Sequence, residues 1–374
     1  MYYNSPKRRK GFFAKVATSV MFMLTMACAV LLVVIYWGSS VNPNDFWPFA
    51  FLTLGMPIVM IINFLLILYW IFRWKLIVVI PLVAMLIGIN NISAFYKPSF
   101  SKDYNNDVPR NAIKIVSYNV GGFFNMEKDG RMVSIVDTAT SFVKSLEPDI
   151  ICFQEYEANY KNSKYEIDSL LGDWKYSQTF YTMASDDGVN GWGLAVYSKY
   201  PILKHGGIEY LSNNGSMWVD LLVGKDTVHL FNNHLQSMCI SREEKGMFDP
   251  VQDKEHMAKE KIRGLVYKMR ENFRLRANQA DTMATIISKY DNRVIVCGDF
   301  NDTPLSYTYR TMRGNLLDTF IESGSGLVNT YRDLFGIFRI DYVLHSKDIS
   351  SINFEVIDNG LSDHKAVKST VLLN

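Results

Sequence analysis

Residues 294–301 read VIVCGDFN, an apolar run that stops at a carboxylate and an amide. A short apolar run rich in β-branched residues predicts a buried strand. Asp299 and Asn301 would then lie just beyond the hydrophobic part of that strand. Because a sheet can hold polar groups rigidly at the end of a buried strand, this stretch predicts a functional rim on a β-rich scaffold.

The same pattern, an apolar run followed by a polar side chain, recurs through residues 111–374. Strands are predicted at residues 114–120, 150–154, 194–198, 217–223, 228–232, 294–297, 340–344 and 367–372, and helices at 132–146 and 253–290. Many strands with few helices predict two stacked sheets flanked by helices. The polar residues near the strand ends would converge on one rim, and they are Asn119, Glu155, His234, Asp299, Asn301, Asp341, Asp363 and His364.

These side chains favour the chemistry of a hard metal ion. Carboxylates and amides without thiolates suit Mg²⁺, Mn²⁺ or Ca²⁺, which prefer oxygen ligands. Glu155 and Asp363 are the predicted ligands, with Asn119 assisting. Asp341 and His364 are the predicted acid–base pair, because a carboxylate that accepts one ring proton fixes the tautomer and raises the basicity of the imidazole. The residues leave open whether one metal binds or two.

Taken together, the motifs of this segment resemble the endonuclease/exonuclease/phosphatase superfamily, which has the DNase-I-like fold. The matching stretches follow the family's order over nearly the whole of residues 111–374, and they are VSYNV, DIICFQEYE, WGLAVYSKYPI, LFNNHLQS, VIVCGDFND, RIDYVLHS and LSDHKAV. The resemblance implies an α/β (α+β) four-layer β-sandwich and an enzyme that hydrolyses phosphoester bonds with a divalent metal.

The resemblance also implies a role for each residue of the metal site. Glu155 would be the principal metal ligand, Asn119 would orient the metal or the phosphate, and Asp363 would add coordination. Mg²⁺ is the metal that this set implies first, with Mn²⁺ or Ca²⁺ as alternatives.

Five further residues would carry the reaction itself. The resemblance implies that His234 contacts the phosphate or protonates the leaving group. Asp299 would position or deprotonate the attacking water, and Asn301 would hold a phosphoryl oxygen. Asp341 would orient His364, which agrees with the acid–base pair inferred from the residue types.

The first 95 residues differ from the rest, because they contain three nearly uncharged apolar stretches at residues 16–37, 47–72 and 76–95. Each is long enough, at ~1.5 Å per residue, to cross a ~30 Å hydrocarbon layer. The sequence therefore predicts a membrane anchor with three transmembrane helices over residues 1–95, a polar linker over 96–110 and a catalytic domain over 111–374.

Basic residues predict the orientation of this anchor. Residues 7–15 contain five Lys or Arg residues and residues 38–46 contain none, so the positive-inside rule places the amino terminus in the cytoplasm. Three spans would make this a multi-pass protein of the cell (inner) membrane, with the catalytic domain on the outer, periplasmic or extracellular side. The third stretch ends in Asn90 and Asn91, and the topology would invert if it were re-entrant.

Composition leaves the substrate open. A formal net charge of +2 does not indicate a clustered basic surface for nucleic acid. The four cysteines form neither a disulfide framework nor a zinc-spaced cluster. The charge-rich stretch Met238–Arg276 is typical of a solvated amphipathic helix, with a contact to substrate or membrane surface as the alternative.

A phosphodiesterase or nuclease is the function that these features favour. The HLQS sequence at residues 234–237 is similar to the corresponding stretch of bacterial sphingomyelinases, so hydrolysis of a phospholipid, or of an inositol phosphate, is the alternative. A catalytically inactive, membrane-tethered binding module is a third hypothesis. The expected partners are the phosphoester substrate and the lipid bilayer, and no protein partner is predicted.

Overall fold

The computed structural model describes residues 10–98, 109–126, 132–159, 164–186, 190–210, 212–238, 259–333 and 337–374. Its amino-terminal part is helical, and Asn42 caps one of the helices by accepting a hydrogen bond from the amide of Asn44. The helices of this part are α1 (Lys10–Gly38), α2 (Pro43–Phe46), α3 (Pro48–Leu54), α4 (Met56–Phe72), α5 (Val79–Ile87) and α6 (Ile89–Ile92), with a 3₁₀ turn at Leu76–Val78 before α5.

One helix, Gly11–Gly38, is long and apolar enough to cross a membrane. The second predicted span breaks at Gly55, where Pro48–Leu54 and Met56–Phe72 meet with a bend of 56°. The third is the helix Leu76–Ile87, which at ~1.5 Å per residue reaches only about 18 Å. The prediction of three membrane-crossing helices was therefore wrong. Within the described residues there is one such helix, or two if the bent pair is a single span.

From residue 109 onward, the described residues mainly form two β-sheets and the helices that cover them. All eight predicted strands are present. The helix predicted at 132–146 begins only at Val136, because residues 132–134 instead pair with residues 124–126 as antiparallel strands. The strands are β1 (Tyr96–Lys97), β2 (Ile113–Asn119), β3 (Phe124–Met126), β4 (Met132–Ser134), β5 (Ile150–Ala158), β6 (Tyr176–Ala184), β7 (Gly191–Ser198), β8 (Ile202–Glu209), β9 (Gly215–Val223), β10 (Asp226–His234), β11 (Val294–Asp299), β12 (Leu317–Asp318), β13 (Gly326–Leu327), β14 (Asp341–His345), β15 (Ile349–Ile357) and β16 (Ala366–Leu373).

Two six-stranded sheets stack face to face. The first sheet has the order β15-β16-β2-β5-β7-β6, and the second has the order β12-β14-β11-β10-β9-β8. Alternation along each strand explains the stacking, since Ile113 and Ile115 of β2 face the core between the sheets. Val116 and Tyr118 of the same strand face the opposite side. The inter-sheet core is thus built from every second residue of the central strands.

Helices cover the outer faces of both sheets, so the fold is mixed α/β with two sheets between two helical layers. Val136 and Val143 pack on the first sheet, and Met283 and Met312 pack on the second. The helices of this part are α7 (Val136–Ser145), α8 (Lys164–Leu170), α9 (Lys259–Ile287), α10 (Tyr307–Arg313) and α11 (Thr319–Ser323). The charge-rich stretch Met238–Arg276 lies partly outside the described residues, and from Lys259 onward it is helical.

Candidate active site

The register of the central strands brings the predicted site residues to one rim. β2 pairs with β5 in parallel, which places Asn119, the last residue of β2, beside Gln154 in the middle of β5. β10 pairs with β11 in parallel and places His234 beside Asp299. Asp299 also lies opposite Asp341, the first residue of β14. The two sheets therefore contribute polar groups to the same edge of the sandwich.

Glu155 is aimed into the rim by an irregular backbone. The register between β5 and β7 shifts between Phe153 and Tyr156, and Glu155 has a φ of +50°. A bulge of this kind redirects one side chain out of the regular alternation, and a non-glycine residue in this region is strained. Asn119 holds the redirected carboxylate, because its Nδ2 donates to Glu155 Oε1 at 3.2 Å while its Oδ1 accepts from Gly121 N at 3.1 Å.

Asp299 lies at the centre of the rim, next to a glycine that the backbone requires. Gly298 has a φ of +124°, and a Cβ atom there would lie 2.0 Å from the carbonyl oxygen of Asn233. Asp299 Oδ2 accepts hydrogen bonds from Asn119 Nδ2 at 3.1 Å and from Asn301 Nδ2 at 3.0 Å. Asn119 is the last residue of β2 in the first sheet, and Asn301 comes two residues after β11 in the second sheet. The carboxylate of Asp299 therefore joins the parts of the site that the two sheets contribute.

His364 and Asp341 form the predicted pair. His364 Nδ1 lies 3.0 Å from Asp341 Oδ2, and its Nε2 lies 3.6 Å from Asp299 Oδ2. The amide of Asp341 donates to Thr330 Oγ1 at 3.1 Å, and the ring of Tyr331 lies 5.0 Å from the imidazole, so both partners are held in place. Nδ1 therefore donates to Asp341, and Nε2 is the nitrogen that faces the rim.

His234 is buried on the other side of Asp299. Its Nε2 lies 3.5 Å from Glu155 Oε1 and 3.8 Å from Asp299 Oδ2. Burial, and then the nearby charge of His364, lower the pKa of His234 to about 3. His234 is therefore neutral at physiological pH and can donate a hydrogen bond without carrying a charge.

Burial also changes the pKa values of Asp299, Glu155 and His364. It raises the pKa of Asp299 to about 7, and it raises the pKa of Glu155, although the charge of His364 opposes both shifts. Burial disfavours the charged form of His364, but the carboxylates of Asp341 and Asp299 outweigh it and raise its pKa well above the usual value. The rim thus holds more carboxylates than its one imidazolium can neutralise.

This surplus of buried negative charge fits a divalent cation. Asp299, Asp341 and His364 offer atoms within 4.8 Å of one another, a set that differs from the predicted ligands. A protonated His364 bonded to Asp341 is a poor ligand, so that triad is better explained as an acid–base network. Glu155 is partly exposed and Asp363 is exposed, and Asp363 raises the pKa of Glu155 by its charge. These two carboxylates fit the cation better, with Asp299 beside them.

Several polar residues that support the site were missed by the sequence interpretation. Asn214 Nδ2 lies 3.3 Å from His234 Nε2 and donates to Leu235 O at 3.1 Å. Gln154 Nε2 donates to Asn232 Oδ1 at 2.7 Å beneath the rim. A polar residue inside an apolar run, as in IICFQ and LFNN, is the sequence signal for such buried contacts.

Comparisons with known proteins agree with this architecture. The model of the endonuclease/exonuclease/phosphatase family matches residues 116–364. A model described as a domain of unknown function matches residues 18–95. No curated protein matches the chain.

Three solved structures are similar to this chain. The endonuclease/exonuclease/phosphatase from Bacteroides vulgatus is 16% identical, with 70% of this chain and 99% of that chain covered and a TM-score of 0.50. The human Nocturnin catalytic domain with bound sulfate anion is 16% identical, with 71% and 96% covered and a TM-score of 0.49. Sphingomyelinase C from Streptomyces griseocarneus is 18% identical, with 70% and 99% covered and a TM-score of 0.43. At these identities the likeness concerns the fold alone.

The family match covers more than half of the 374-residue chain, and it includes all eight predicted site residues. The fold, with two stacked sheets between helical layers, agrees with that match. The protein belongs to the endonuclease/exonuclease/phosphatase family.

Proposed function

We propose that this protein is a divalent-metal-dependent phosphodiesterase of the nuclease-like kind. The observation that carries the proposal is the rim itself, where Asp299, with a pKa raised to about 7 by burial, lies between a neutral and a charged histidine. A base poised near neutral pH, a charged group and a neutral donor are what in-line attack of water on a phosphate requires.

The cation would be held by Glu155 and Asp363, with Asn119 orienting Glu155 through its hydrogen bond of 3.2 Å. Mg²⁺ suits this oxygen-rich set best, with Mn²⁺ or Ca²⁺ as alternatives. When bound, the cation neutralises phosphate oxygens and stabilises the charge that develops on them.

The remaining residues act on the water and the phosphate. Asp299 positions the attacking water and accepts its proton, because its pKa of about 7 makes it a base at physiological pH. His364, charged and oriented by Asp341, faces a phosphoryl oxygen with Nε2. Asn301 Nδ2 donates to Asp299 Oδ2 at 3.0 Å and to Leu235 O at 3.0 Å, so it orients Asp299 from the side of β10. His234 has a pKa of about 3 and therefore donates a hydrogen bond to the phosphate, whereas a general acid would need a higher pKa.

We further propose that residues 1–95 anchor the enzyme in the cell membrane through α1, that residues 96–110 link the two parts, and that residues 111–374 form the catalytic domain. Arg73 Nη2 lies 3.3 Å from Thr18 Oγ1, near the amino end of α1. Asn42, beyond the carboxyl end of α1, donates to Asp281 Oδ2 at 3.1 Å. Arg73 and the catalytic domain thus lie toward opposite ends of α1, which supports an outer location.

A phospholipid or another membrane-bound phosphoester is the second candidate substrate. The observation that favours it is the closeness of the rim to the helices, because Arg339, two residues before Asp341, donates to the carbonyl oxygen of Ala94 at 3.0 Å. If these helices lie in a membrane, the rim lies near the membrane surface, where it could reach the phosphoester of a membrane-bound substrate. Inositol phosphates and an inactive binding module are the remaining alternatives, and neither has an observation of its own.

The test is a hydrolysis screen of the purified full-length protein with Mg²⁺ against plasmid DNA, RNA, phospholipid vesicles and inositol phosphates. We expect turnover of at least one phosphodiester, loss of turnover in excess EDTA and recovery when Mg²⁺ is restored. A His364→Ala preparation controls for contaminating hydrolases. Turnover that persists in EDTA would contradict the metal assignment, and no turnover on any substrate would favour the binding module.

A further inference from the structure

Helix α9 joins the amino-terminal helices to the catalytic domain. Leu265, Met269 and Phe273, spaced four apart, form one buried stripe that packs against residues of α3. The ring of Phe273 meets the ring of Phe51 edge-on, with centroids 5.1 Å apart. Asn44 adds a polar contact, since its Nδ2 donates to Asn278 Oδ1 at 2.8 Å. The membrane-proximal helices therefore dock on this helix through both apolar and polar contacts.

A second stripe of α9, formed by Asn272, Arg276 and Gln279, holds the loop that follows His234. The amide of Gln236 donates to Gln279 Oε1 at 2.7 Å, and Asn272 Nδ2 donates to the carbonyl oxygen of Met238 at 2.9 Å. Arg276 Nη1 donates to the carbonyl oxygen of Gln236 at 2.8 Å. Gln236 Nε2 also donates to Asn272 Oδ1 at 3.3 Å, so this loop has at least four hydrogen bonds to a single helix.

Arg276 is the residue that joins two catalytic loops. Besides Gln236, its Nη1 donates to the carbonyl oxygen of Asn301, and its Nε lies 3.3 Å from Asp302 Oδ2. The side chain is fully buried, and its guanidinium carbon lies 5.4 Å from the ring of Phe273. One guanidinium thus contacts the loop after β10, the loop after β11 and the aromatic ring that receives α3.

The amino-terminal helices make two further contacts near strands β11 and β14 of the second sheet. Leu305, four residues after Asn301, is fully buried in a cluster with Leu32, Ile35 and Met56 of the amino-terminal helices. Arg339 reaches Ala94, as described above. The docked helices thus support the segments at His234, Asn301 and Asp341, which lie at the ends of strands of the second sheet or directly after one.

We infer that Arg276 is a positioning residue, and that docking of α3 on α9 acts through it to hold His234 and Asn301 in their working geometry. The effect on turnover rests on the proposed phosphodiesterase function. The effect on loop order does not, because hydrogen bonds from one buried guanidinium to two loops restrict both of them whatever the reaction.

Hydrogen exchange in the full-length protein tests the inference without an activity assay. Phe51→Ala removes the ring that packs on Phe273, and Arg276→Met removes the donors while keeping an apolar stem. Each should speed amide exchange of residues 235–238 and 299–306 by about tenfold or more, and leave residues 113–121 of β2 unchanged. The matched control is Arg274→Met, because Arg274 is partly exposed and pairs with Glu271 at 3.5 Å. Unchanged exchange at both loops, or equal acceleration in β2, would overturn the inference.

Kinetics then separates positioning from simple stability. With any phosphodiester that the parent hydrolyses, Arg276→Met should lower kcat about 10- to 100-fold, because small misplacements of reacting groups are costly, while KM changes about threefold or less. Arg276→Lys should recover part of kcat. Phe51→Ala should lower kcat about tenfold in the parent but about twofold or less in Arg276→Met. Independent, multiplying losses would overturn the coupling between docking and Arg276.

Amide exchange and turnover test the role of Arg276 and the proposed phosphodiesterase function separately. A parent that hydrolyses no phosphodiester would end the proposed function, while loop exchange would still decide the role of Arg276. A parent that is active and chelator-sensitive, with unchanged loop exchange in Phe51→Ala and Arg276→Met, would retain the proposed function and end this inference.

Discussion

The two sheets hold their shares of the active site in different ways. The first sheet supplies Asn119, Glu155 and His364, and two of them are held by nearby backbone: Asn119 by the amide of Gly121 and Glu155 by a bulge. The second sheet supplies His234 and Asp299, whose loops are held from outside by α9. The part of the site on the first sheet is therefore held mainly by local chain geometry, and the part on the second sheet mainly by long-range packing.

The largest effect should come from breaking the link between the two halves at His364. His364→Ala removes the imidazolium that lies between Asp341 and Asp299, at 3.0 Å and 3.6 Å. Because a direct contact with the transition state is lost, we expect kcat to fall ~10²- to 10⁴-fold. The circular dichroism spectrum should be unchanged. Near-parent turnover in this variant would remove His364 from the mechanism.

Asp341→Asn should have a smaller effect, because Asp341 acts through the imidazole. The amide can still accept from His364 Nδ1, so the orientation is partly kept, but the charge that raises the pKa of His364 is lost. We expect kcat to fall about 10- to 100-fold, with turnover declining at high pH as His364 loses its proton more readily. A loss as large as that of His364→Ala, with an unchanged pH profile, would mean that Asp341 itself contacts the substrate.

The part of the site that sequence predicts well is the set of polar residues near the ends of buried strands, and both sheets contribute to it. A buried strand is a local signal, so the ends of β2, β5, β10 and β11 could be located from alternating apolar residues and the polar residue that follows. The parallel pairing of these strands then places the ends together. The eight predicted residues surround one rim, although their individual roles stay predictions. Asp363 is exposed there, and its place in a metal site depends on the cation.

What the sequence did not predict depends on distant contacts or on backbone breaks. The edge strands β6, β8 and β15 were missed because most of their residues are exposed or half-exposed and because they mix polar with apolar side chains. Arg276 belongs to a charge-rich stretch that is typical of a solvated helix, and only tertiary packing buries it. Hydropathy counts apolar residues without detecting the bend at Gly55. Three spans were therefore predicted where, among the described residues, one helix is long enough, or two if the bent pair is a single span.

The smallest expected effect is a pH dependence of the Tm increase that Mg²⁺ causes. It tests the comparison between the two sheets because Asp299 lies between the residues that each sheet contributes. Burial raises the pKa of Asp299 to about 7, from an unfolded value of ~3.9. Stability from its protonated form is therefore present below about pH 4 and is lost as the pH rises through about 7. His234, with a pKa of about 3, stays neutral throughout this range. At pH 5.5 a cation that binds beside Asp299 must displace the proton of this carboxyl group, whereas at pH 8 the carboxyl group is already ionised.

Mg²⁺ should therefore raise the Tm of the metal-free full-length protein more at pH 8 than at pH 5.5. With about 1.5 pH units between pH 5.5 and the pKa of Asp299, the difference is on the order of 2 kcal/mol and about 4 °C. Differential scanning calorimetry at both pH values, with and without Mg²⁺, measures it. Asp299→Asn is the matched control, since its side chain does not titrate and the difference between the two Mg²⁺-induced shifts should shrink to the part that Glu155 contributes. Equal shifts in the parent would instead mean that the cation binds away from Asp299, on the Glu155 side alone.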